Sequence, residues 1–190
     1  MAILDQNLLM HGASGSIDNY YTRQHRGKTL LCRKPTSKDG WKAKGGQIEN
    51  REKLKAANAY ANRVLQNPEL LATYEGLLKK YENVQNIAVR DAWRSPEILD
   101  LAFEHNNTAK RLTVTVIAID DTKVVSVEVL LMDCIDQVLL HGQAVRHPYN
   151  HNKWIFEADN VAALPEHGTI EVIACDLPGN KATATMLTGN

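Results

Sequence analysis

From about Ile98 the hydrophobic period of this chain changes from roughly 3.6 residues to roughly 2. Before that point, apolar residues recur at helical spacing from Ile48 to Ala92. After it they alternate: Leu112, Val114 and Val116; Val125, Val127, Val129 and Leu131; Trp154, Phe156 and Ala158; Ile170, Val172 and Ala174. A strand with this alternation buries one face. Turn formers separate the runs at Asp120-Asp121-Thr122-Lys123, Asp133 to Gln137, His147 to Asn152, and Asp176 to Asn180. Val138 to Arg146 reads as a strand interrupted at Gly142, and Thr169 to Thr188 as a closing hairpin. Short strands with regular turn signals and no helices between them predict an antiparallel sandwich or barrel, and argue against a parallel α/β sheet.

The helical stretch divides at Gln66-Asn67-Pro68-Glu69. Asn67 suits a cap, Pro68 the first helical position, and Glu69 the positive helix end. The first helix presents Leu54, Ala57, Ala61 and Val64 or Leu65. A second carries Leu70, Leu71, Tyr74, Leu77, Leu78 and Tyr81, and a third runs from Asn83 to Trp93. Ser95-Pro96 stops it. Met1 to Gly45 is the least regular part, with a flexible lead-in around Gly12 and Gly15. Ile17 to Gln24 and Thr29 to Lys34 read as two strands joined at Gly27, and Thr36 to Gln47 as an exposed loop.

The formal net charge is zero, yet its distribution is uneven. Between Tyr21 and Gly45 lie Arg23, Arg26, Lys28, Arg33, Lys34, Lys38, Lys42 and Lys44, against Asp39. From Arg111 onward acids dominate, among them Asp120, Asp121, Glu128, Glu157, Asp159, Glu171 and Asp176. A basic front can meet nucleic acid, or the acidic back of another copy. The cysteines, Cys32, Cys134 and Cys175, are odd in number and irregularly spaced, which argues against a disulfide scaffold or a zinc site. Reduced, buried thiols are the expectation. No secretory signal and no membrane-length apolar run stands out, so the expected location is cytoplasmic, or outside the cell by export without a cleaved signal.

Ala174-Cys175-Asp176-Leu177-Pro178-Gly179-Asn180-Lys181-Ala182-Thr183 resembles the A-x-D-x-x-G-N-x-x-T ending of many bacterial immunoglobulin-like or fibronectin-III-like domains. There it links the last two strands. The resemblance covers about the last eighty residues and implies a disulfide-free immunoglobulin-like sandwich. The whole chain also resembles a bacterial and phage-encoded group of unassigned activity. That group shares a glycine-rich start, a G-K-[TS] strand ending in K-P (here Gly27-Lys28-Thr29 to Lys34-Pro35), an Ala-rich helical middle and this sandwich.

Catalytic chemistry finds little support. Gly27-Lys28-Thr29 lacks the earlier glycine of a phosphate-binding loop, and Ser14 and Ser16 follow no hydrophobic strand. His147 and His151 share a loop, with His141 near, and read as surface histidines rather than zinc ligands. Asp120, Asp121, Asp176 and Asn180 read as turn residues before calcium ligands.

The expected fold is therefore α+β: a basic N-terminal hairpin arm over residues 1–46, a helical unit over 47–95 and an immunoglobulin-like antiparallel sandwich over 96–190. The expected function is non-enzymatic and cofactor-free. The chain is expected to be a structural or interaction protein, of a phage- or secretion-apparatus-like kind, that self-associates through its arm. The candidate binding residues are Tyr20, Tyr21, Arg23, Arg26, Lys28, Arg33, Lys34, Lys42 and Lys44. One alternative has the same residues bind nucleic acid, with tyrosines to stack bases. Another is a carbohydrate- or surface-binding sandwich using Tyr149 and Trp154, although the alternation of Trp154 with Phe156 favours a core role.

Overall fold

The computed structural model describes residues 2–3, 15–25, 27–36, 44–161 and 163–189. The chain forms two compact units, Met1–Ile48 and Glu49–Asn190. In the first, β1 (Ala2–Ile3), β2 (Gly15–Ile17), β3 (Tyr20–His25) and β4 (Lys28–Arg33) make one antiparallel sheet in the order β1-β4-β3-β2. β3 and β4 are the expected hairpin, and Gly27 between them has φ 77°, a conformation that glycine adopts without steric cost. β2 falls in the stretch read as a flexible lead-in. Its pairing with β3 turns a hairpin, marginal alone in water, into a larger sheet.

The helices of the second unit are α1 (Gly45–Gln66), which begins in the first, α2 (Pro68–Glu75) and α3 (Val84–Trp93). Asn67 caps α2 as its position predicts: Oδ1 accepts from the N–H groups of Glu69 at 3.0 Å and Leu70 at 3.3 Å. Asn83 caps α3 through Asn86 N–H. Tyr60, Ala61, Val64, Tyr74, Val84, Ile87 and Ala88 form the helical core. Two expectations fail here. Leu54 points away from this core and is half exposed. α2 stops at Glu75, where Gly76, a poor helix former, takes the cap position. Leu77, Leu78 and Tyr81 are therefore exposed rather than aligned on a buried face.

Eight strands follow: β5 (Glu97–Asn106), β6 (Arg111–Ile119), β7 (Val124–Met132), β8 (Val138–Gln143), β9 (Val145–Arg146), β10 (Lys153–Asp159), β11 (Thr169–Asp176) and β12 (Lys181–Leu187). They build two antiparallel four-stranded sheets, β5-β6-β10-β9 and β12-β11-β7-β8. One core joins them. Leu112, Val114, Val116, Trp154 and Phe156 come from the first sheet, and Val127, Val129, Leu131, Ile170, Val172 and Ala174 from the second. Each of the Val, Leu, Ile and Phe side chains among them contributes about 1.5–3 kcal/mol by leaving water.

Local detail departs from simple alternation in three places. The β7–β11 register shifts between Cys175 and Asp176. Val124 then takes the inward position expected of Val125, which is exposed. The run from Val138 to Arg146 divides at Ala144, so its halves join different sheets. Gly142 is required for packing: a Cβ there would lie 2.5 Å from Phe156 Cε2. Of the cysteines, all free, Cys32 is buried as expected, Cys175 is partly buried, and Cys134 is exposed in the β7–β8 turn.

Candidate interaction surfaces

Cross-strand register determines which basic residues share a face, because directly opposed residues point the same way. Tyr21 opposes Cys32, Arg23 opposes Leu30, and His25 opposes Lys28, which places Tyr21, Arg23, His25 and Lys28 on one face of the N-terminal sheet. Tyr20 opposes Arg33 on the other face. The candidate residues are thus divided, with Arg23 and Lys28 together and Arg33 apart. Arg23, Lys28, Arg33, Lys34 and Lys44 are exposed, and Tyr21 is partly buried. Lys34 follows β4, its N–H bonded to Asn19 C=O at 2.7 Å, and Lys44 precedes α1. Arg26 and Lys42 lie outside the described residues.

Several of the C-terminal acids turn out to be engaged internally. Asp120 Oδ2 accepts from the Thr122 and Lys123 N–H groups, both at 3.1 Å. Asp133 does the same for Ile135 and Gln137. Asp121 pairs with Arg94 at 2.9 Å and Arg90 at 3.6 Å, and Asp159 with Arg111 at 2.8 Å. A stripe of free carboxylates lies instead on β5. Glu97, Asp100 and Glu104 are exposed and oppose Ile119, Ile117 and Thr113 on the outward face. Among the described residues none of the three is in an ion pair. These three acids precede Arg111, where the acid-rich part of the sequence begins. The signal was the Glu97, Asp100, Glu104 spacing, disguised by a bulge between Ile98 and Asp100.

A second constellation forms where α3 meets the β11–β12 turn. Asp176, almost fully buried, accepts through Oδ1 from Gly179 N–H at 2.8 Å and Asn180 N–H at 2.6 Å. Asn180 Nδ2 donates to Asp176 Oδ2 at 2.8 Å and to Arg94 C=O at 2.9 Å, so one amide holds the turn and the end of α3. Asp91 is fully buried. Its Oδ2 accepts from Tyr74 Oη at 2.5 Å, and Tyr74 Oη lies 3.0 Å from Tyr60 Oη. Asp91 Oδ1 and Thr122 Oγ1 are buried without a well-formed hydrogen bond, although the hydroxyl is near enough to stabilise the carboxylate. Burial raises the Asp91 carboxyl to about 6, with Asp120 and Asp176 adding repulsion and Thr122 and Tyr74 opposing the rise. Burial also raises the Asp176, Tyr60 and Tyr74 groups. The carboxylates are buried beside one another, a cost that the hydrogen bonds only partly offset.

The remaining candidates stand apart. His147 Nδ1 accepts from Tyr149 N–H, and His141 lies 3.6 Å from Glu128. Among the described residues no group of His, Cys, Asp or Glu is arranged to hold a metal ion. Tyr149 is exposed, whereas Trp154 is buried in the core with Arg146 over its ring. A groove of about 520 Å³ between α1 and α3 is lined by Leu54, Asn58, Val89 and Trp93, with Arg90 and Arg94 at its rim. Lys53 Nζ sits 5.1 Å from the Trp93 ring centroid. No described helix is long and apolar enough to cross a membrane. Neither a family model nor a curated protein matches the chain.

Proposed function

We propose that this chain is a non-enzymatic structural or interaction protein that self-associates through its basic N-terminal sheet. The observation that carries the reading is the compact Met1–Ile48 unit, whose paired strands present Arg23 and Lys28 together and exposed. The second unit bears on the fold class. Its sheet orders, β5-β6-β10-β9 and β12-β11-β7-β8, follow the A-B-E-D and G-F-C-C′ pattern of immunoglobulin-like domains. We read it as a disulfide-free member of that class. Such folds host many functions, so the fold alone names none.

A chain starting at Gly46 separates the arm from the rest. Light scattering on a sizing column should find the intact chain associated at low salt and the shortened chain a folded monomer. Equal association of both would reject the reading. Nucleic acid comigrating with the intact chain and released by salt would favour nucleic-acid binding instead.

A further inference from the structure

We infer that the outward edge of β5, marked by Glu97, Asp100 and Glu104, receives the basic face of the β3–β4 hairpin of a second copy of this chain. The inference rests on the self-association reading above and adds the receiving strand.

Among the described residues β5 is the longest strand, at ten residues, and stands at the edge of its sheet. A long edge leaves a row of backbone N–H and C=O groups available for pairing. The carboxylates disfavour a second β5 in that place, because they repel an identical strand. A basic strand meets no such repulsion. The same outward face offers little competition: Arg111 is held by Asp159, and Lys153 lies two strands in, on β10.

The hairpin has the matching features. Among the described residues, β2 pairs with Tyr20, Tyr21 and Thr22 of β3, and β3 pairs with β4 as far as His25. Arg23, His25 and Lys28 are themselves exposed, on a face where Leu30 and Cys32 are buried. Lys28 opposes His25, two residues beyond Arg23 along β3, so the charges of Arg23 and Lys28 are about 7 Å apart along the strand direction. Glu97 and Asp100 oppose Ile119 and Ile117, also two residues apart and about 7 Å along the sheet. Charge spacing on the two surfaces is therefore commensurate. The contact joins unlike surfaces, so it closes into a ring or propagates as a filament.

Charge exchange on the intact chain tests this. One variant carries Glu97→Lys, Asp100→Lys and Glu104→Lys; another carries Arg23→Glu and Lys28→Glu. All five positions are exposed, and circular dichroism checks that each variant folds. By sedimentation velocity at low salt, each variant alone should associate at least about tenfold more weakly than the unaltered chain, since like charges then face each other. Mixing the two in equal amounts should restore association. Loss in the hairpin variant with none in the β5 variant would overturn the inference and leave the self-association reading standing. Loss in both without rescue on mixing would also overturn it. No loss in either variant, or no association of the unaltered chain, would overturn both.

Discussion

Tyr74 Oη donates to Asp91 Oδ2 at 2.5 Å, with both side chains fully buried. This contact places a carboxyl in the helical layer near Asp120 and Asp176 of the sheet turns. The protonated acid suits the site better than the anion, because burial penalises the charge. The folded-state value, about 6, exceeds the ordinary carboxyl value of 3.8. Between about pH 4 and pH 6 the folded chain thus holds more protons at Asp91 than the unfolded chain. The Asp91 contribution is full below pH 4 and is lost as pH rises to about 6, a change on the order of 2–3 kcal/mol. Asp176 shifts in the same direction. Urea unfolding across this range should show Asp91→Asn gaining on the unaltered chain as pH rises. Parallel curves would show that Asp91 does not titrate as described.

Tyr74 bridges two groups, since its hydroxyl touches both Asp91 and Tyr60. Tyr74→Phe keeps the ring and strands both partners in a buried place. The expected loss is about 2–4 kcal/mol at neutral pH, from two unsatisfied polar groups. A change under about 0.5 kcal/mol in urea unfolding would mean that the bridge contributes little.

Asn180 links the β11–β12 turn to the last carbonyls of α3. Asn180→Ala removes that link and a partner of buried Asp176. It should destabilise by about 2 kcal/mol and speed amide exchange in α3 more than in β6 or β7. Uniform acceleration across all elements would show that the helix is not held through this residue.

Gly142 lies against the Phe156 ring, with 2.5 Å between the ring and the position of an added Cβ. Gly142→Ala should cost about 1–3 kcal/mol by overpacking. Adding Phe156→Leu should recover part of that loss, since the shorter side chain vacates the contested space. A double variant whose losses simply add would separate the two sites.

Much of the fold is legible in the sequence where one rule dominates. β6 alternates cleanly because each inward residue faces the same core, and the Asn67-Pro68 cap is local chemistry. Legibility fails where distant segments decide. Val125 loses its inward place to a register shift against β11, and α2 ends at Gly76 although the apolar spacing continues to Tyr81. The Asp91, Asp120 and Asp176 constellation joins segments far apart in sequence, so spacing does not reveal it. Of the candidate binding surface, the basic residues were legible. Their division between two sheet faces required the register, and the β5 carboxylates were hidden by a bulge.

Self-association through exposed charge is the central claim, and light scattering of the intact chain over a salt series tests it most directly. Exposed ion pairs are screened by salt. The account predicts a nucleic-acid-free species heavier than one chain at low salt, returning to the mass of one chain as salt rises. A single-chain mass at every salt concentration and protein concentration would contradict it.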